Sequence, residues 1–133
     1  MGTFKGGSPT YRSLKDNLSN TQKDYNYLDG YFGNVGKSGN KKIREINSSD
    51  QFKDAKKFYD KIAYGGIESK LDNGKGFMTK LKDGTIITYR EITSTKDSPA
   101  VEINIKQSND SGGIKNQKIH FEGKKKKWKL IIP

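Results

Sequence analysis

Thr85-Ile86-Ile87-Thr88-Tyr89-Arg90-Glu91-Ile92, Ala100-Val101-Glu102-Ile103-Asn104-Ile105-Lys106 and Lys118-Ile119-His120-Phe121-Glu122 are three runs in which apolar and polar side chains alternate. A period of two is the signature of a strand with one face buried and one face wet. Turn residues bound each run: Lys82-Asp83-Gly84 before the first, Asp97-Ser98-Pro99 before the second, and the cluster Asn109–Gly113 before the third. Phe77–Leu81 lies on the other side of the Asp-Gly turn and completes a hairpin. Gly123 and Lys124–Lys127 lead into a last apolar run, Trp128–Ile132. Five short strands joined by turns predict an antiparallel meander.

Working upstream, the period changes. Phe52, Ala55, Phe58, Tyr59, Ile62 and Ala63 recur at helical spacing, with Lys53, Lys56, Lys57 and Lys61 on the other side. Ser48 and Gln51 have capping-box spacing, Asp50 falls in the first turn, and Gly65-Gly66 supplies the stop. An amphipathic helix over about 49–64, packed on one face of the sheet, makes the fold class α+β. Residues 49–133 are expected to form one α+β domain. Residues 1–48, rich in Gly, Asn and Ser, are expected to be a loosely structured lead-in with a short helix within 13–28 and an exposed loop over 30–42.

Composition excludes much. At 133 residues the chain is a single domain's length. It has no Cys and one His, which excludes disulfides, a thiol nucleophile, Cys-based metal centres and a multi-histidine site. No apolar run is long enough to span a membrane, and no secretory signal pattern opens the sequence. Lys and Arg number 26 against 15 Asp and Glu, a formal charge of +11. Residues 1–50 carry 8 basic and 5 acidic groups and residues 51–133 carry 18 and 10, so the excess belongs mainly to the second part. Such a charge points to a polyanionic partner.

Simple turns between the strands place Arg90 opposite Glu102, and Glu102 opposite or nearly opposite His120. The alternation assigns Ile87, Tyr89, Val101, Ile103, Ile105, Ile119 and Phe121 to the core face. Thr88, Arg90, Glu102, Asn104, Lys106, Lys118, His120 and Glu122 fall on the polar face. A carboxylate, a guanidinium and an imidazole side by side suffice to cleave RNA without metal or other cofactor. Glu102 is the candidate base for the ribose 2′-OH, His120 the candidate acid for the departing 5′ oxygen, and Arg90 the phosphate ligand. The product would carry a 2′,3′-cyclic phosphate. Lys80, Lys106 and Lys118 are candidate assistants, and Thr93 and Ser94 candidate hydroxyl donors to the phosphate. Lys124, Lys125, Lys126 and Lys127 are a candidate nucleic-acid footprint. Each feature also has a plainer reading: a cross-strand ion pair, a surface histidine, a polar loop, a solvated lysine run. Tyr89 and Trp128 could stack bases, but Tyr89 falls on the core face. Gly74-Lys75-Gly76 lacks the context of a phosphate loop and reads as a turn.

Several segments carry a family resemblance: Ala55–Ile62, Asn73–Phe77, Leu81–Thr85, Ile87–Arg90, Ser98–Asn104 and Ile114–Phe121. Over about residues 50–122 the chain resembles C-terminal toxin domains of bacterial polymorphic and contact-dependent inhibition toxins, of the barnase/EndoU/colicin/RelE-like ribonuclease group. The resemblance implies helices followed by an antiparallel sheet bearing the active site. It implies delivery as part of a larger secreted or surface-displayed toxin and action on RNA, often tRNA, in the target cell's cytoplasm. It also implies a small immunity protein, expected to be acidic, and a monomer or a toxin–immunity heterodimer. Barnase-like members use a Glu, Arg and His trio, which Arg90, Glu102 and His120 match in type; the order here is Arg, Glu, His, whereas barnase has its Glu before its Arg residues. Other members use Thr or Ser with Lys, which keeps Thr93 and Ser94 among the candidates. A DNA-cleaving toxin and a noncatalytic nucleic-acid-binding module remain as alternatives.

Overall fold

A computed structural model of the chain describes residues 3–4 and 11–123. The elements in chain order are β1 (Thr3–Phe4), α1 (Leu14–Thr21), β2 (Tyr27–Leu28), β3 (Tyr31–Phe32), β4 (Asn34–Val35) and β5 (Ile43–Ser48). There follow α2 (Gln51–Ile62), β6 (Ile67–Lys70), β7 (Gly76–Lys80), β8 (Ile86–Arg90), β9 (Ala100–Asn104) and β10 (Gln117–Gly123). The expected strand Trp128–Ile132 and the lysines Lys124–Lys127 lie outside the described residues.

The helix α2 forms where its periodicity places it, with a different cap. Asp50 is the N-cap and its carboxylate accepts the N–H of Lys53. Ser48 ends β5 with its side chain buried, and its hydroxyl is occupied by Asp54 and the N–H of Asp50. The expected Ser48–Gln51 capping box is therefore replaced, because the serine is held by the strand before it. Ala55, Phe58, Tyr59 and Ile62 are buried along one stripe, while Phe52, expected on that stripe, is 43% exposed. Phe58 is the centre of an aromatic cluster, edge-on to Tyr25 and Phe32 at 4.9 and 5.1 Å and tilted to Phe121 at 5.8 Å.

The sheet that α2 covers is larger than the expected five strands, and it is mixed. Among the described residues its order is β1-β6-β7-β8-β9-β10-β5-β4, seven strands extended at one edge by the two-residue β1; β2 and β3 form a separate small hairpin. The run β7-β8-β9-β10 is antiparallel, as the meander predicts. The addition that matters is β5, which pairs in parallel with β10, Ile43 beside Lys118 and Glu45 beside His120.

This pairing corrects the reading of residues 11–48 as a loose lead-in. Leu14 and Phe32 are fully buried in the common core. α1 begins with a capping box, Ser13 with Asp16, and its Leu14 N–H is received by the buried Asp83 carboxylate at 3.0 Å. Asn17 donates to the carbonyls of Ile62 and Tyr64, closing the end of α2. The buried Gln117 amide accepts the N–H of Phe32 and donates to the carbonyls of Gly30 and Lys115, fastening the β2–β3 hairpin to β10. Of the expected 30–42 loop, β3 and β4 are strands and 37–42 are exposed.

Truncating the central ring should expose how far the fold depends on this contact. Phe58→Ala is expected to lower unfolding free energy by about 3–5 kcal/mol in urea titration. Phe52→Ala should change it by less than about 1 kcal/mol.

Candidate functional site

Because Ile87, Tyr89, Val101, Ile103, Ile119 and Phe121 are buried beneath α2, the alternate positions on β8, β9 and β10 project from the opposite side of the sheet. The ladders arrange them in rows. Thr88, Glu102, Lys118 and Ile43 form one row across β8, β9, β10 and β5. Arg90, Ala100, His120 and Glu45 form the next.

The side of the sheet is therefore as expected, but its exposure and the neighbours are not: Thr88, Ala100 and His120 are buried there, and Arg90, Glu102 and Lys118 are partly open. Arg90 stands opposite Ala100, Glu102 opposite Thr88 and Lys118, and His120 opposite Ala100. Both ladders are displaced by two residues from the simple-turn register, a slip that preserves the face and changes the row. The connections explain it. Strand β8 stops at Arg90, short of Ile92, and the Thr93 hydroxyl closes the following loop on the Ser98 carbonyl at 2.7 Å. On the far side, the Asn116 side chain accepts the Ile105 N–H at 2.7 Å and fixes where β10 begins.

Arg90 reaches diagonally to Glu102, with Nε 3.3 Å from Oε2 and Nη2 3.5 Å from Oε1. Lys118 Nζ lies 3.9 Å from the same Oε2. These three groups form a partly exposed ionic cluster. His120 is separate from it. The residue is 9% exposed, and Nδ1 lies 3.2 Å from Ser98 Oγ, which donates to Glu122 Oε2 at 3.1 Å. The buried Ala100 separates Arg90 from His120; two strand spacings put their Cα atoms roughly 9–10 Å apart.

The other candidates scatter. Lys80 is exposed on β7 opposite Ile86, one row further from His120 than Glu102. Lys106 is exposed just beyond the end of β9. Thr93 is engaged with the Ser98 carbonyl in its own loop, and Ser94 is exposed there. Tyr89 is in the core, where burial raises its phenol above the usual range, and it stacks on Phe77. Arg44 is no part of the face. Its buried guanidinium serves the carbonyls of Phe32, Gly33 and Lys41, and desolvation pulls it below the ordinary arginine value.

Sequence reasoning missed Ser98, Glu45 and Ile43 as parts of this face, and gave Glu122 no role. Glu122 lies two residues beyond His120 on the same strand whatever the register, but Ser98 meets both only in the true register, and Ile43 and Glu45 arrive through a parallel partner. Among the described residues no three His, Asp or Glu side chains gather as a metal site, and no helix is long and apolar enough to cross a membrane. No family model, no curated protein and no solved structure matches the chain.

The Ser98 hydroxyl has a single proton. When it is given to Glu122, the contact with His120 requires Nδ1–H as donor, and Nε2 is left for a ligand. Nitrogen-15 NMR of His120 should therefore show the Nδ1–H tautomer when neutral, and Ser98→Ala should shift the population towards Nε2–H. A wild-type ring protonated at Nε2 alone would mean that Ser98 gives its proton to the imidazole instead.

Proposed function

We propose that the chain is an endoribonuclease that needs no metal and works on the polar face of β8, β9 and β10. The observation that carries this reading is the placement there of an ionic cluster, Arg90–Glu102–Lys118, one row from an imidazole that meets Ser98, whose hydroxyl is in turn held by Glu122. The charge of +11 supplies the attraction for a polyanion.

In this mechanism an incoming phosphodiester takes Arg90 from Glu102, since a guanidinium binds phosphate through two parallel bonds as readily as it binds carboxylate. The released Glu102 carboxylate accepts the proton of the ribose 2′-OH. O2′ bonds to phosphorus as the bond from phosphorus to O5′ breaks. His120, charged and donating through Nδ1 to Ser98, gives its Nε2 proton to the leaving O5′. Lys118 and Arg90 hold the negative charge on the phosphoryl oxygens. The products are a 2′,3′-cyclic phosphate and a 5′-hydroxyl. The resemblance to polymorphic-toxin domains extends the proposal: an antibacterial toxin domain delivered as part of a larger protein, RNA such as tRNA as substrate, and an acidic immunity protein as partner.

A second reading, a binding module without catalysis, is favoured by the low exposure of His120 and by an Arg90–Glu102 pair that is already satisfied. One experiment separates them. Total RNA incubated with the pure protein in EDTA should be cut to fragments ending in 2′,3′-cyclic phosphate. His120→Ala and Glu102→Gln should each slow the cutting by about 100-fold or more. RNA left intact by the wild type, yet bound with a steep salt dependence, would establish the binding module. Equal cutting by wild type and His120→Ala would remove the imidazole from the mechanism. Cutting of DNA that EDTA abolishes would indicate a metal-dependent nuclease.

A further inference from the structure

A shallow, open cleft of about 270 Å³ lies on the same polar face, lined by Glu102 but not by His120. It lies between the end of β9, the start of β10 and the start of β5. Lys42, Lys106 and Lys118 line it, and Ile43 contributes an apolar patch. Lys42 and Lys106 are exposed, and among the described residues neither has a carboxylate within ion-pair distance. Glu102, the cleft's one carboxylate, is already engaged by Arg90.

Two amides complete the wall. Asn104 Oδ1 accepts the Lys106 N–H at 3.0 Å, and Asn116 Oδ1 accepts the Ile105 N–H at 2.7 Å. With each oxygen tied to backbone, each NH₂ group remains as a donor to a ligand. Cations and amide donors around an apolar patch match an anionic group attached to a flat or apolar body. They do not match a cation or a plain hydrocarbon.

We infer that this cleft is an anchoring subsite for single-stranded RNA, holding the phosphodiester and nucleoside next to the linkage that is cut. The inference rests on the ribonuclease reading for the direction of the strand. Lys118 belongs to both places: it touches Glu102 and lines the cleft. From His120 to Lys118 is two residues along β10, roughly 7 Å, so a strand gripped at the cleft runs directly onto the row of Arg90 and His120. Lys42 and Lys106 would track the backbone, Asn104 and Asn116 would donate to phosphate or base oxygens, and Ile43 would meet the sugar or base.

The test uses the full chain and a fluorescent 2′-O-methyl hexaribonucleotide, which has no 2′-OH to attack and cannot be cut. Binding is read by anisotropy at several salt concentrations. The double variant Lys42→Ala/Lys106→Ala is expected to bind about tenfold more weakly or worse. Its log–log salt slope should flatten by about 1.4, as for two lost contacts to a single strand. The charge-matched control Lys53→Ala/Lys57→Ala, on the exposed side of α2, should bind within about twofold of wild type. Equal weakening by both doubles would show that net charge alone attracts the probe and would overturn the subsite. Unchanged binding by the first double would overturn it as well. The probe reports binding only, so the two readings fail separately. Loss of binding in Lys42→Ala/Lys106→Ala, with a wild type that leaves RNA intact, would keep the subsite and remove the catalytic reading. Cutting by the wild type with unchanged binding in that double would do the reverse.

Discussion

A twelve-residue helix is about 18 Å long and has one apolar stripe, so α2 can keep only one side of the sheet dry. Everything else about the molecule's polar chemistry follows from that restriction. Phe58, Tyr59 and Ile62 commit the inner side to Ile87, Val101, Ile119 and Phe121. The pleat then sends every intervening side chain of β8, β9 and β10 to the other side, where charge is tolerated. Arg90, Glu102, Lys118 and His120 share a surface because their apolar neighbours share a core. Polar groups that do enter the interior are all provided for, and among the described residues no buried side-chain polar atom lacks a partner. Asp83, Asn17 and Gln117 each join segments distant in sequence through several hydrogen bonds, which suits their burial.

The sequence disclosed faces more readily than rows. Alternation has a period of two, so it separates the core-facing Ile103 and Ile119 from the outward Glu102 and His120 without reference to the turns. A displacement of two residues leaves that separation untouched. Which outward residues touch depends instead on where each strand stops, and the side-chain bonds of Thr93 and Asn116 determine that. Composition cannot foresee those bonds. The expected trio is thus resolved into an Arg90–Glu102 pair and a histidine held by Ser98, which in turn donates to Glu122.

The larger omission was β5. Ile43-Arg44-Glu45-Ile46-Asn47-Ser48 has a mixed pattern because two of its inward positions, Arg44 and Ser48, are polar. Arg44 is accommodated by three carbonyl groups and by the ring of Tyr31, with its guanidinium 4.9 Å from the ring centre. Ser48 is accommodated by the helix that follows it. Local hydrophobicity was a poor guide where backbone carbonyls and a helix start supplied the polar partners. Missing β5 also hid Lys42, Ile43 and Glu45 from any account of the outward surface.

The parallel bond between β5 and β10 joins segments far apart in sequence, with Ile43 beside Lys118. Neither strand can find its place by a local turn, and the loop-closure entropy falls due before the contact forms. A chain emerging from synthesis would hold β5 without its partner until residues 49–116 had appeared. Assembly of the outward surface is thereby tied to the arrival of β10: Ile43 and Glu45 come alongside Lys118 and His120 only then, and a fragment stopped short of β10 would carry neither the clamp of Gln117 nor the imidazole.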